Sequence, residues 1–285
     1  MKMTKVKSSL LAAATLVMGV VLTSCINSKN DYVLTDSRVA KMSGFMGVYE
    51  FQTSDGVTIT PTSRSIAQLQ TNGGDFGQFD GKVCLIYYQW DSSVVDINTD
   101  SKVINGVDLI YVASLDHPVE IVEEPGAPND SVDNMPIISL SYEASSLANY
   151  EPAFFDRNTV LLPIRYYVKL SPHTFTLCYY PNEIPAEETE DKEEETIRFY
   201  LRHNKQKDTP DLSADSYMQA SNYGVNLYYF TFDLTAALDR YEDETGKPRP
   251  TKIEIETREN SYTVNNEDPS IQTKVYTVEY KPQTN

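Results

Sequence analysis

Cys25 stands where covalent chemistry is most plainly written into this chain. Lys2, Lys5 and Lys7 precede a thirteen-residue apolar run from Leu10 to Leu22, and Leu22-Thr23-Ser24-Cys25 closes that run as a lipobox. The run is shorter than the about twenty residues a spanning helix needs, and it fits a secretory leader. The small residues ahead of Cys25 predict a cut after Ser24, a diacylglycerol on the thiol and a third acyl chain on the new amine. One chain holds a protein only marginally, at about 0.8 kcal/mol per buried methylene, whereas three make an effectively permanent anchor. The other reading of these residues is an ordinary cleaved leader whose next residue happens to be cysteine.

Other reactive groups are few. His117, His173 and His203 are the three histidines. None lies at a spacing that puts two on one helix face, so no HExxH-type zinc site is expected. Each reads as a hydrogen-bonded structural residue at a turn or strand end. Beyond Cys25 only Cys84 and Cys178 remain. An exported chain permits a disulfide between them. They fall in runs that read as different domains, which predicts two unpaired, packed thiols. No helix start or basic neighbour activates either thiol, and no GxSxG elbow presents a serine. Asp96-x-Asn98-x-Asp100 begins like a calcium loop, but Ser101 stands where the turn needs glycine and Val107 where a bidentate glutamate belongs. Asn129, Asp130 and Asp133 offer oxygen ligands in a loop and read as solvated groups. No metal or cofactor is expected, and no catalytic residue is assigned.

Charge narrows the partners. The chain carries 24 basic and 41 acidic residues, a net charge of -17. The leader takes three lysines and no acid with it, leaving 21 against 41, or -20. Such a surface repels phosphate backbones, so nucleic acid is not an expected partner. The 20 tyrosines suit strands and binding faces.

The elements that must position these groups read as short strands. Residues 1–24 form the leader and 25–43 a polar tether. From Gly44 to about 135 five strands are expected. Gly44–Thr53 and Val57–Thr60 form a hairpin about Asp55-Gly56. Lys82–Trp90 has apolar residues on both faces, as in a small closed barrel. Asn105–Ser114 and Val119–Val122 complete the set. Glu123–Pro136 is rich in breakers and reads as the start of the domain boundary. A second domain, 150–285, is expected to be an antiparallel sandwich. Its strands are Leu161–Leu170, Thr174–Tyr180, Thr196–Arg202, Asn226–Leu234, Thr251–Arg258 and Gln272–Tyr280. Phe175, Leu177 and Tyr179 form an inner face. Helix is expected only over Thr235–Tyr241, stopped by Gly246 and Pro248. The fold class is therefore all-β.

In their order, several segments resemble the NigD-like lipoproteins of Bacteroidetes. They are Gly56-Val57-Thr58-Ile59-Thr60-Pro61, Gly81 to Tyr88, Phe199-Tyr200-Leu201-Arg202-His203-Asn204, Phe230 to Leu234 and Tyr276 to Tyr280. The resemblance implies an oligonucleotide/oligosaccharide-binding-type barrel followed by a β-sandwich, an undefined biochemistry, and a loose association with bacteriocins. Such barrels bind across strands two and three, which would set Tyr87, Tyr88 and Trp90 near a ligand face. The competing reading places these rings in the core. Ser28-Lys29-Asn30-Asp31 is similar to the charged tethers that send lipoproteins of these bacteria to the surface. Asp130-Ser131-Val132 is similar to their O-glycosylation sequon, with Ser131 the acceptor. The expectation is a non-enzymatic outer-membrane lipoprotein, periplasmic or surface-exposed, that binds an envelope protein or glycan. The alternatives are a glycan hydrolase using paired carboxylates and an immunity lipoprotein.

Overall fold

The computed structural model describes residues 32–281 except 46, 72–74, 96, 98–100, 146–147, 183–195, 209–219 and 221–222. Cys25 and the leader lie outside the described residues, as do Asp96, Asn98 and Asp100. The fold is all-β. The chain divides into two compact units between Asp116 and His117, ahead of the limit near 135 read from the breaker-rich loop.

The first unit is a closed five-stranded barrel. Its strands are β1 (Val33–Phe45), β2 (Val48–Thr53), β3 (Thr58–Pro61), β4 (Val83–Asp91) and β5 (Val103–Ser114), in the order β1-β2-β3-β5-β4 with β4 pairing back onto β1. All pairs are antiparallel except β3 with β5. A helix α1 (Ser63–Thr71) and a 3-10 turn (Phe76–Phe79) fill the connection from β3 to β4. Thr62 begins α1: its hydroxyl accepts the Ser65 amide at 3.2 Å, supplying one of the partners a helix start lacks. Phe51, Ile59, Cys84, Ile86 and Tyr88 form the barrel core, each without solvent exposure.

Strand β1 corrects the sequence reading, because eleven of its residues, Val33 to Ser43, fall in the segment expected to be a tether. The reason is chemical. Ala40 and Met42 point into the core, but two further inward positions are Asp36 and Arg38. Charged residues there erase the apolar alternation that marks a strand.

The second unit is a sandwich. One sheet has the order β10-β11-β14-β6, with β6 (Asp116–His117), β10 (Ala153–Phe154), β11 (Thr159–Val168) and β14 (Gly224–Asp233). The other has the order β16-β15-β13-β12-β7, with β7 (Val119–Ile121), β12 (Thr174–Tyr179), β13 (Ile197–Asn204), β15 (Lys252–Glu259) and β16 (Gln272–Glu279). A small hairpin, β8 (Tyr142–Ser145) and β9 (Ala148–Tyr150), and a helix α2 (Thr235–Thr245) complete it. Both sheets contribute to one core, in which Phe175, Leu177 and Tyr179 meet Leu162, Ile164, Phe230 and Phe232. The expected antiparallel pattern is corrected at two places: β7 with β12 and β13 with β15 run parallel. Alternation marks a strand and its inner face, but it does not specify the neighbour or its direction.

The breaker-rich stretch is no linker. Val122 and Ala127 pack on Cys178, Tyr180 and Tyr200, on the outer face of the five-stranded sheet. Further on, Ile137 bridges to Glu259 and Ser139 to Arg165, so the segment joins both sheets.

Helix α2 ends where glycine permits it. Gly246 adopts φ 67°, and its amide donates to the Glu242 carbonyl at 2.9 Å. Apart from the adjoining backbone, nothing lies within 4 Å of the place a Cβ would take. The cost of Gly246→Ala is therefore backbone strain alone, about 1 kcal/mol. Urea denaturation of the two proteins checks this; equal midpoints would contradict it.

Candidate functional site

The barrel places the three predicted aromatics on two faces rather than one. Tyr88 is fully buried, and its hydroxyl donates to Asp36 Oδ2 at 3.0 Å. Arg38 Nε donates to the same oxygen at 3.1 Å. Trp90 packs beside Tyr88, ring centroids 5.8 Å apart, against the same core. Tyr87 is half-buried on the opposite side of β4. The expected ligand face across Tyr87, Tyr88 and Trp90 is thus split by strand alternation, and Tyr88 is spent on the barrel interior. Burial, with Asp36 beside it, pushes the Tyr88 phenol up. Tyr88→Phe removes one hydrogen bond to a carboxylate that keeps Arg38 and solvent, so a loss of about 1 kcal/mol is expected. Trp90 is the only tryptophan, so its fluorescence follows barrel unfolding; an unchanged midpoint would contradict the assignment.

The loop carboxylates are engaged rather than solvated. Asp130 accepts the Tyr180 hydroxyl at 2.8 Å and the Gly126 amide at 2.8 Å. Asp133 accepts the His203 amide at 3.3 Å and lies between Arg202, at 3.8 Å, and Arg258, at 3.5 Å. Burial raises the Asp133 pKa against the pull of both guanidiniums. Arg202 lies against the Tyr180 and Tyr200 rings and donates twice to the Tyr180 hydroxyl, at 2.6 and 2.9 Å. Ser131 is half-buried, and its hydroxyl donates to Glu120 Oε2 at 2.7 Å. These contacts fasten the loop to the sheet. Among the described residues no group of three histidine, cysteine or carboxylate side chains is placed to hold a metal ion.

Cys84 and Cys178 are free and buried, in separate units. Burial pushes the Cys84 thiol up to about 12 and raises Cys178 as well. Neither is activated as a nucleophile.

Two histidines come together where the sequence shows only separate strand ends. The register sets Phe175 opposite His203. His173 Nδ1 then lies 2.8 Å from His203 Nε2, and His173 Nε2 lies 3.0 Å from Asp208 Oδ2. His173, His203 and Asp208 are 6 %, 1 % and 1 % exposed, which makes this a dry relay. Asp208 also accepts the amides of Lys169, Leu170 and Ser171, at 2.8, 3.0 and 2.9 Å. Those amides and His173 hold its carboxyl below the usual range against desolvation, which would raise it. Burial lowers His173, and burial with His173 beside it lowers His203 to about 3. One proton arrangement satisfies these links: His173 donates from Nε2 to Asp208, and His203 donates from Nε2 to His173. The relay has no hydroxyl or thiol within it and is walled by Tyr166 and Phe175. Its chemistry is that of a buried brace.

The outer faces of the two sheets differ. The five-stranded sheet carries ion pairs, with Arg198 bonded to Glu254 at 2.8 Å and near Glu256 at 3.5 Å. The four-stranded sheet carries rings. Outward positions from Leu161 to Tyr167 on β11 and from Val225 to Thr231 on β14 include no acid and one base, Arg165. The β8–β9 hairpin lays two tyrosines over this face. Tyr142 and Tyr150 stack at 6.3 Å and 24°, and Tyr150 meets Tyr229 at 6.0 Å. The Arg165 guanidinium sits 4.4 Å over the Tyr142 ring. All four side chains are half-buried. Burial and the neighbouring Tyr150 push Tyr229 up to about 12. Sequence reading missed this group because its members come from four separated strands; the high tyrosine count was its only signal. A shallow depression elsewhere, along α1, is lined by Arg64, Ala67, Gln68 and Thr71 and contains no carboxylate among them.

A closed Greek-key barrel of five strands, with a helix ahead of β4, is the architecture of the oligonucleotide/oligosaccharide-binding type, and here a two-sheet sandwich accompanies it. The same architecture occurs in a candidate lipoprotein of Bacteroides fragilis NCTC 9343, 24% identical, with a TM-score of 0.65 over 87% of this chain and 99% of that one. Weaker matches are a protein of unknown function from Bacteroides vulgatus (10% identical, TM-score 0.48, 87% and 92% covered) and a NigD-like immunity protein from Bacteroides caccae (13% identical, TM-score 0.47, 84% and 91% covered). No family model and no curated protein sequence matches the chain.

Proposed function

We propose that this chain is a non-enzymatic envelope lipoprotein, acylated at Cys25, which presents its barrel and sandwich to a protein or glycan partner. The observation that carries this reading is a lipobox standing ahead of a fold shared with the Bacteroides fragilis candidate lipoprotein over 99% of that chain. The arrangement of reactive groups supports the non-enzymatic part. The thiols are buried with raised pKa values, the histidines form an internal brace, and the loop carboxylates are fastened to arginines. The anchor would hold the protein in the envelope, and the proposed location is the outer membrane, on its periplasmic or outer face. Ser131, bonded to Glu120, is the proposed glycan acceptor; Tyr87 is on the accessible side of β4.

Affinity capture from detergent-solubilised outer membrane, paired with a glycan array, tests the reading. A reproducible protein or glycan ligand is expected. Silence in both experiments would contradict a partner-presenting role.

A further inference from the structure

We infer that the partner is a different protein, and that it docks on the outer face of the four-stranded sheet by bringing a carboxylate to Arg165. The inference rests on the partner-presenting reading above and names the site and chemistry.

In a chain of 41 acids and 24 bases, most arginines of the sandwich find carboxylates: Arg198, Arg202, Arg240, Arg249 and Arg258 all do. Arg165 does not. Among the described residues its guanidinium has a ring beneath it and no carboxylate bonded to it. A half-buried guanidinium retains five donors in a fixed fork, matched to a carboxylate. The outward positions of β11 and β14 around it supply none.

The rings decide between partner classes. A sugar needs an open aromatic face on which to lie. Here the faces are already used: Arg165 covers Tyr142, Tyr142 stacks with Tyr150, and Tyr150 meets Tyr229. The Tyr142–Tyr150 stack under Arg165 leaves mainly ring edges and phenol groups for a ligand. Tyrosine and arginine in a charge-depleted patch, with Val225 52 % exposed and Leu227 half-buried beside them, is the composition of a protein-binding hot spot. A second copy of this chain docked through the same β11 and β14 positions would leave both guanidiniums without a carboxylate. The fitting occupant is therefore a different protein with an aspartate or glutamate set in an apolar surface.

Photo-crosslinking tests this in the full-length, membrane-anchored protein. Val225→p-benzoylphenylalanine places the probe on the face, in living cells. Ultraviolet light is expected to give one discrete adduct with a different protein. Adding Arg165→Glu should reduce that adduct by about tenfold or more, with the thermal midpoint unchanged. Equal adduct yield with Arg165→Glu would overturn the role of Arg165. An adduct at twice the chain's own mass would make the occupant a second copy. Array binding of a glycan that Arg165→Glu abolishes would make it a sugar. No adduct, while affinity capture still retrieves a partner, would overturn this site and leave the partner-presenting reading standing. Silence in both crosslinking and capture would remove that reading too.

Discussion

Asp208→Ala is expected to destabilise the sandwich by about 3 kcal/mol, the scale for taking one charged acceptor away from several hydrogen-bond donors at once. Asp208 is 1 % exposed and gathers four donors: the amides of Lys169, Leu170 and Ser171 and Nε2 of His173. Alanine leaves all four without that acceptor: His173 in a buried site, and three amides of a turn in which Leu170 is 82 % exposed. Each lost partner costs about 1–3 kcal/mol when nothing replaces it. The losses are not additive, because His173 can turn once its anchor is gone. Asp208→Asn keeps one carbonyl oxygen and should cost less. Urea denaturation followed by far-ultraviolet circular dichroism reads both variants. A loss under about 1 kcal/mol for alanine would mean that the relay does not brace the fold.

The second large effect is acid loss of stability. His203 is lowered to about 3 and His117 to about 4, both by burial; His117 packs on Phe230 with centroids 4.6 Å apart. A histidine whose folded pKa lies below its unfolded value binds protons more readily when unfolded. Its contribution is whole above about pH 6.5 and is lost as pH falls toward the folded pKa. Each such residue contributes a slope of up to about 1.4 kcal/mol per pH unit, so His117 and His203 together predict a fall of about 2–3 kcal/mol between pH 6 and pH 5. His173, lowered in the same direction, adds to it. Asp133 works against it, because a raised carboxyl takes its proton more readily in the fold. Asp208, held low, adds its own loss only at pH values around and below the ordinary aspartate range. Denaturation midpoints between pH 7 and pH 4.5 check the sign. A flat profile would contradict neutral, buried histidines.

Legibility in the sequence followed the chemistry of each face. Phe175, Leu177 and Tyr179 alternate cleanly, and their strand and inner face were readable at once. Thr235 to Gly246 was readable because a left-handed glycine ends the helix. Strand β1 was hidden because Asp36 and Arg38 face inward, where their partner Tyr88 lies 52 residues away. Helix α1 was hidden by its polar composition; its signals were Thr62 as a cap and Ile66 as a buried anchor. The loop from Glu123 to Pro136 looked like a linker because prolines, glycine and acids mark both linkers and straps. Only Arg202, Arg258 and Tyr180, from other strands, reveal which it is. The same limit applies to the site residues. Tyr87, Tyr88 and Trp90 are neighbours in sequence, yet strand alternation sends them to different sides. Tyr142, Tyr150, Arg165 and Tyr229 are far apart in sequence, yet register brings them together. Local pattern reports which face a residue occupies, and pairing decides what it meets there.

Mass spectrometry of the N-terminal peptide from native membranes tests the acyl anchor at Cys25 most directly. The predicted result is a peptide beginning at Cys25 that carries a diacylglycerol on sulfur and a third acyl chain on its amine, with Cys25→Ser releasing the protein from the membrane fraction. An unmodified Cys25 on a chain recovered from the culture supernatant would contradict it.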